Sequence, residues 1–205
     1  MRNNSTPRPA TWHELSREAD AVLTFIDRPA AGASANHRLT SLSCSFDTTS
    51  SAELNIAGLT SVGGNANDGV YGLDGTDVAV VVLASDKFTV ASHGFTNGDH
   101  VMLNLNGGTT VTGILGYTAY WIVGVSGSDF QLAATKGGSA IALSGTPASF
   151  SDNIDVMRIS HSYMVYDHLE LDFSSPLEGA ENRDLIISIK PTTGIQALLS
   201  ASGYN

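Results

Sequence analysis

Turn signals recur so closely between Asp86 and Gly145 that no helix of ordinary length fits between them. The stretches HGFTNGD, NLNGG, VSGSD and TKGGS break this region, and Asn97-Gly98, Gly107-Gly108 and Gly137-Gly138 offer the positive φ angles that tight hairpins need. Between them lie short runs rich in aromatic and branched residues: Asp86 to Val90, His100 to Leu105, Tyr120 to Val123, Asp129 to Leu132 and Ala140 to Leu143. These read as strands of a small barrel or meander.

The flanking segments have a different texture. Arg38 to Phe46 places Leu42, Cys44 and Phe46 against serines at every second position, and Ala52 to Ile56 repeats the pattern with Leu54 and Ile56. Val22 to Arg28 is strand-like, and Val78 to Ala84 reads as a buried strand. After Asp152, Val156 to Val165, His168 to Phe173, Asp184 to Lys190 and Gln196 to Tyr204 continue the series. Near the start, Thr11 and Glu14 have the spacing of a capping box, and Leu15, Ala19, Val22 and Leu23 share one helical face, so a short helix is expected there.

The expected fold is therefore all-β: an antiparallel, jelly-roll-like sandwich with an inserted small β-barrel or meander and one short N-terminal helix. The expected divisions are an arm and helix over 1–19, a discontinuous sandwich over 20–83 and 152–205, and an insert over 84–151. Charge follows that cut, since residues 152–205 hold eight acids and three bases, whereas 84–151 hold three and two.

The formal net charge is −10, and only Lys87, Lys136 and Lys190 supply lysines. A chain without clustered Lys and Arg cannot displace counterions along a nucleic acid, so no nucleic-acid partner is expected. The N-terminal arm, Met1 to Ala10, carries Arg2 and Arg8 without acids; it reads first as a disordered terminus, and alternatively as an arm that orders against a neighbouring subunit. No apolar run approaches the ~20 residues of a membrane-spanning helix, and no leader-like apolar region opens the chain, so a soluble protein in a reducing cytosol is expected. Charged residues make up 15 %, and hydroxyl and amide side chains fill the gap. Surfaces of that kind suit coverage by a partner.

Few residues suggest chemistry. Cys44 is the only cysteine, which excludes an intrachain disulfide, and its place in an alternating strand predicts a buried, inert thiol. The histidines, His13, His37, His93, His100, His161 and His168, form no HExxH or HxH pair. Asn65, Asn67, Asp68, Asp74 and Asp77 collect oxygen atoms, but Thr76 stands where a calcium loop needs its last glutamate. Glu170 and Asp172 share a strand face, with Glu178, Glu181 and Asp184 following, and this reads as a solvated acidic rim rather than a glycosidase pair. Gly124-Val-Ser-Gly127-Ser128 lacks the last glycine of a nucleophile elbow and reads as a β-turn. No phosphate-binding glycine loop is present. The expectation is no catalytic residue, no metal, no cofactor and no enzyme.

Phe88-Thr89, His93-Gly94-Phe95, Asn97-Gly98-Asp99-His100-Val101, Tyr120-Trp121-Ile122-Val123, Phe130-Gln131-Leu132-Ala133 and Gly137 to Leu143 stand in an order and spacing that resemble a small β module recurrent in tailed-bacteriophage structural proteins. The stretch before the tyrosine strand, Val111 to Gly116, lacks the proline common in that module. His37 to Ile56 and Phe173 to Gly194, followed by Ala197 to Tyr204, resemble the opening hairpin and the ending of small sandwich proteins of phage particles. The resemblance implies a virion structural protein, foremost a cement or decoration protein on the head surface that bridges major capsid protein subunits. It also implies a homo-oligomer, trimer or dimer, assembled in the bacterial cytoplasm. Tail, neck or fibre parts belong to the same resemblance. A carbohydrate-binding module, with Tyr117, Tyr120 and Trp121 stacking on sugars, is a further alternative, although Trp121 sits mid-strand as a core residue would.

Overall fold

A computed structural model describes residues 11–17, 23–28, 37–57, 70–71, 80–82, 85–90, 93–105, 111–145, 154–178, 185–191 and 195–205. Its strands are β1 (Thr11–Arg17), β2 (Thr24–Arg28), β3 (Arg38–Phe46), β4 (Ser51–Ala57), β5 (Val70–Tyr71), β6 (Val80–Val82), β7 (Lys87–Thr89), β8 (His100–Leu105), β9 (Ala119–Ser126), β10 (Asp129–Ala133), β11 (Ile154–Tyr166), β12 (His168–Glu178), β13 (Leu185–Ile189) and β14 (Ala197–Tyr204). Each ladder between these strands is antiparallel. The protein is an all-β sandwich.

One layer runs β1-β14-β3-β12. The other runs β11-β4-β13-β2. Alternation fills the space between them: Leu42, Cys44, Leu199 and Ala201 from the first layer meet Leu54, Ile56, Ile187 and Ile189 from the second. Burial of such side chains contributes about 1.5–3 kcal/mol apiece relative to exposure. The chain changes layers at Asp167, where only Tyr166 and His168 pair. Asp167 takes a φ of 59° there. Its carbonyl accepts the Phe46 N–H at 3.0 Å, its own N–H donates to Ser50 O at 3.0 Å, and its carboxylate accepts the Ser50 N–H at 2.8 Å. Aspartate tolerates this left-handed backbone better than most residues, and the corner keeps all these groups satisfied.

A second sheet, β8-β9-β10-β7-β6, joins the sandwich through β11. Ile154 to Arg158 pair with β8, and Ile159 to Tyr166 pair with β4, so one strand serves two cores. The second core gathers Phe88, Phe95, Val101, Leu103, Ile122, Phe130 and Leu132 with Val156 of β11. Phe130 lies at its centre, stacked on Phe88 at 5.5 Å and edge-on to His93 and Phe95. Ala57, Met102, Met157 and Ile186 fill the seam between the two cores. From β11, Arg158 donates to Gly94 O at 2.7 Å, pairs with Asp99 at 3.1 Å and lies over the Phe95 ring, which pins the 93–99 loop to the shared strand.

The structure corrects the sequence reading in several places. Residues 11–17 form strand β1, not a helix, and Glu14 faces Ala201 across the β14 ladder instead of a helix N-terminus. Seven consecutive pairings with β14, and burial of Trp12 against the sandwich core, outweigh a local capping signal worth about 1 kcal/mol. Residues 18–22 lie outside the described set. Ala140 to Leu143 form no named ladder: the Ile141 N–H donates to Leu132 O at 2.8 Å, a Thr112–Ser144 bridge follows, and the Leu143 N–H is held by the Asp86 carboxylate at 2.7 Å. Of the expected strand Val78 to Ala84, Val80–Val82 is strand and pairs with β7 beside the second core, and 78–79 and 83–84 lie outside the described residues. β13 is buried on both faces rather than one, because the seam cluster covers Ile186.

Candidate functional site

The outer face of the β1-β14-β3-β12 layer carries the serine positions that alternation turns away from the core. Three rungs cross it in register: Leu15, Ser200, Ser43 and Glu170; His13, Ser202, Ser41 and Asp172; Arg17, Leu198, Ser45 and His168. The centre is therefore hydroxyl, one margin mixed and partly apolar, the other acidic. Leu15 is 63 % exposed and Leu198 39 %, which leaves two apolar side chains uncovered on that margin. A shallow polar cleft of about 240 Å³ runs between Ser41, Ser43, Ser200, Glu170 and Asp172. His13 Nδ1 and Ser202 Oγ are 2.8 Å apart.

The part of the expected acidic rim that is described is thus one margin of a flat face, and Glu170 and Asp172 point outward from a strand edge. Among the described residues, beyond the Tyr166–His168 pair, β12 has β3 as its strand partner on one side only. Glu170, Asp172, Pro176 and the register shift after Asp172 guard that edge against pairing with a stray strand. Glu181 and the 58–69 and 72–79 stretches, with the oxygen-rich loop from Asn65 to Asp77, lie outside the described residues apart from Val70–Tyr71. So does the arm, Met1 to Ala10.

The histidines are scattered. His13 is on the hydroxyl face, and His37 Nδ1 is 2.8 Å from Asn205 Oδ1 with its ring edge-on to Trp12. His93 is buried in the second core, where its Nδ1 accepts the Phe95 N–H at 2.8 Å. His161 stacks beside Tyr163, and His168 faces Glu170 at 3.6 Å. Among the described residues no group of three His, Cys, Asp or Glu side chains is placed to hold a metal ion. Cys44 is buried, and burial pushes its thiol up to about 12, so thiolate chemistry at neutral pH is closed to it.

The aromatic trio does not form a sugar platform. Tyr120 is buried, and its hydroxyl accepts the Leu115 N–H at 2.8 Å. Trp121 is half-buried rather than core. His100 stacks on it at 4.1 Å from the β8 side, and the Lys136 ammonium sits 5.3 Å from its ring centroid beyond β10. Tyr117 stacks on Phe25 at 4.0 Å, far from the other two in role. Gly124 and Gly127 both take positive φ, 61° and 62°, around a β9–β10 hairpin with a register shift, which is the turn expected of that glycine-serine stretch.

A second cleft, of about 180 Å³, opens at the seam. Its floor is the outer face of the second layer: Asn55 and Ser188 are cross-strand partners, and Glu53 and Lys190 lie two residues along on the same face. Tyr117, Thr118 and Ala119 overhang it. Sequence reasoning singled out only Tyr117 of this set. The others carry no spacing signal, because their proximity depends on the β4–β13 register and on where the insert docks.

Burial lowers the pKa of His93, His100 and His161. Arg158 deepens the effect at His93 and Lys136 at His100, against the opposing pull of the Gly127 backbone and Glu53 respectively. An unfolded chain takes up protons near the ordinary histidine value of about 6.5, which the folded chain resists. Stability is then full above that value and falls as pH drops toward the folded values. Urea midpoints should decline from pH 7 to pH 5, with a shallower decline in His93→Phe. A midpoint that is flat or rises on acidification defeats this assignment.

Comparison of the chain with protein-family models, with curated proteins and with solved structures found no match in any of the three.

Proposed function

We propose that the chain is a non-enzymatic virion structural protein, a cement or decoration protein that bridges major capsid protein subunits on a phage head. The motif resemblance of residues 88–145 suggests the class. The open hydroxyl face is the observation that carries the role. Serine hydroxyls both donate and accept, so they can pair with a partner's backbone and amides while losing little on desolvation compared with charges.

Magnitudes favour many copies over one tight contact. Four strands about 4.8 Å apart and seven residues at about 3.4 Å give a plane of roughly 450 Å². A standard stable interface buries about 800 Å² per partner. One such face makes a weak contact, and a homo-oligomer on a repeating shell gains its hold through multivalency. The guarded β12 edge suits this arrangement, since docking by face leaves edges free of runaway strand addition.

Cryo-electron microscopy of the particle that incorporates the chain tests the reading. Regular density on the head, in hundreds of copies by gel densitometry, is the expected result. Ser43→Glu, beside Glu170, should deplete that density while the purified variant stays folded. Density confined to the tail, at a few to a few tens of copies, overturns the head assignment in favour of a tail, neck or fibre part.

A further inference from the structure

We propose that the seam cleft beneath Tyr117 binds a neutral carbohydrate ring. The proposal does not rest on the capsid reading and uses a different surface.

Ligand sites favour concave junctions between packed units, and this cleft lies where the second sandwich layer meets the insert. Its floor is a two-by-two grid. Asn55 pairs with Ser188 across the β4–β13 ladder, and Glu53 and Lys190 occupy the next positions on the same face. Such neighbours stand about 5 Å apart across strands and about 7 Å along them, the scale of one sugar ring. The Ser188 hydroxyl donates to Met102 Sδ at 3.7 Å and closes the floor from below, so the grid offers the Asn55 amide, the Glu53 carboxylate and the Lys190 ammonium, which together can donate to and accept from adjacent sugar hydroxyls.

The polar groups are held in place. Asn55 is only 5 % exposed and Ser188 2 %, so their side chains are set by the fold rather than by solvent. The Ser162 hydroxyl donates to Asn55 Oδ1 at 2.7 Å, which orients the amide. One wall is aromatic. Tyr117 stands on Phe25, and its backbone takes a φ of 55°, a left-handed conformation costly for a tyrosine. Its N–H donates to Leu103 O, and the overhang is thereby fixed at a backbone cost that the surrounding structure sustains.

Charge selects the ligand class. One carboxylate and one ammonium face the cleft, so its formal charge is zero. An anion or cation would meet an opposite and a like charge together, whereas a neutral polyol can use both groups as hydrogen-bond partners.

The test uses the full chain. Saturation-transfer NMR and calorimetry are run against neutral oligosaccharides ending in glucose, galactose, mannose or N-acetylglucosamine, with sialylated counterparts. At least one neutral sugar should bind, and Glu53→Ala or Lys190→Ala should weaken it by about tenfold or more, because each removes a charge-assisted hydrogen bond. Both residues are exposed, so the variants should keep the wild-type circular dichroism. Trp121→Ala should leave binding unchanged. The proposal is overturned by no saturation transfer from any neutral sugar at millimolar concentration, by binding of sialylated sugars alone, or by binding that survives both cleft variants. Loss of binding on Trp121→Ala with the cleft variants unaffected also overturns it.

Discussion

Phe130→Ala should cost about 3–5 kcal/mol, the range for removing a large aromatic from a packed core. Its ring is fully buried and touches three other rings, Phe88, His93 and Phe95. Aromatic pairs of this geometry add about 0.5–1.5 kcal/mol beyond area alone. The loss should not stay within the insert. Val156 and Arg158 belong to β11, so a loosened second core weakens the strand that also pairs with β4. Urea unfolding followed by amide exchange at β4 and at β9 checks both statements. If β4 amides keep wild-type protection while β9 loses it, the coupling is wrong; if the midpoint barely moves, Phe130 is not the centre of its core.

Gly203→Val should be the most damaging single change in the sandwich. A Cβ at this position would land on the Arg38 carbonyl oxygen and on the Trp12 ring. The carbonyl is backbone in the neighbouring strand and cannot step aside, so either β14 separates from β3 or Trp12 leaves its pocket. Overpacking alone costs about 1–3 kcal/mol, and expulsion of the indole adds to it. In a Trp121→Phe background Trp12 is the sole indole, and its emission should shift toward that of a hydrated ring as the melting midpoint falls. Unchanged emission with an unchanged midpoint would refute the close approach.

Much of the architecture is legible because period-two alternation is a direct trace of two-sided packing. Arg38–Phe46 and His100–Leu105 have the bounds that alternation and turn glycines suggest. β1 was illegible because inward-facing Trp12, Glu14 and Ser16 are a poor apolar series, while Thr11 and Glu14 imitate a cap. Its strand state comes from a partner at the far end of the chain. Ala140 to Leu143 alternates like a strand, yet a carboxylate from Asp86 takes a backbone donor that a ladder would have used. The hydroxyl face could be anticipated from the serines of β3, but its three rungs depend on register with β1, β12 and β14. The seam cleft had no local trace at all, since Glu53 and Lys190 become neighbours only once β4 and β13 align.

The closing of β1 onto β14 also dictates the order in which a growing chain can be finished. His13 meets Ser202 across 189 positions of sequence, so the first strand waits for the last. The β9–β10 hairpin can form as soon as it leaves the ribosome, while its core lacks Val156 until β11 is made. Until β14 is made, the β3 edge that it pairs with stays open. Contacts of such separation are slow to form and leave unfinished chains prone to association. A product truncated before Ala197 should therefore accumulate as aggregate rather than as a smaller soluble protein.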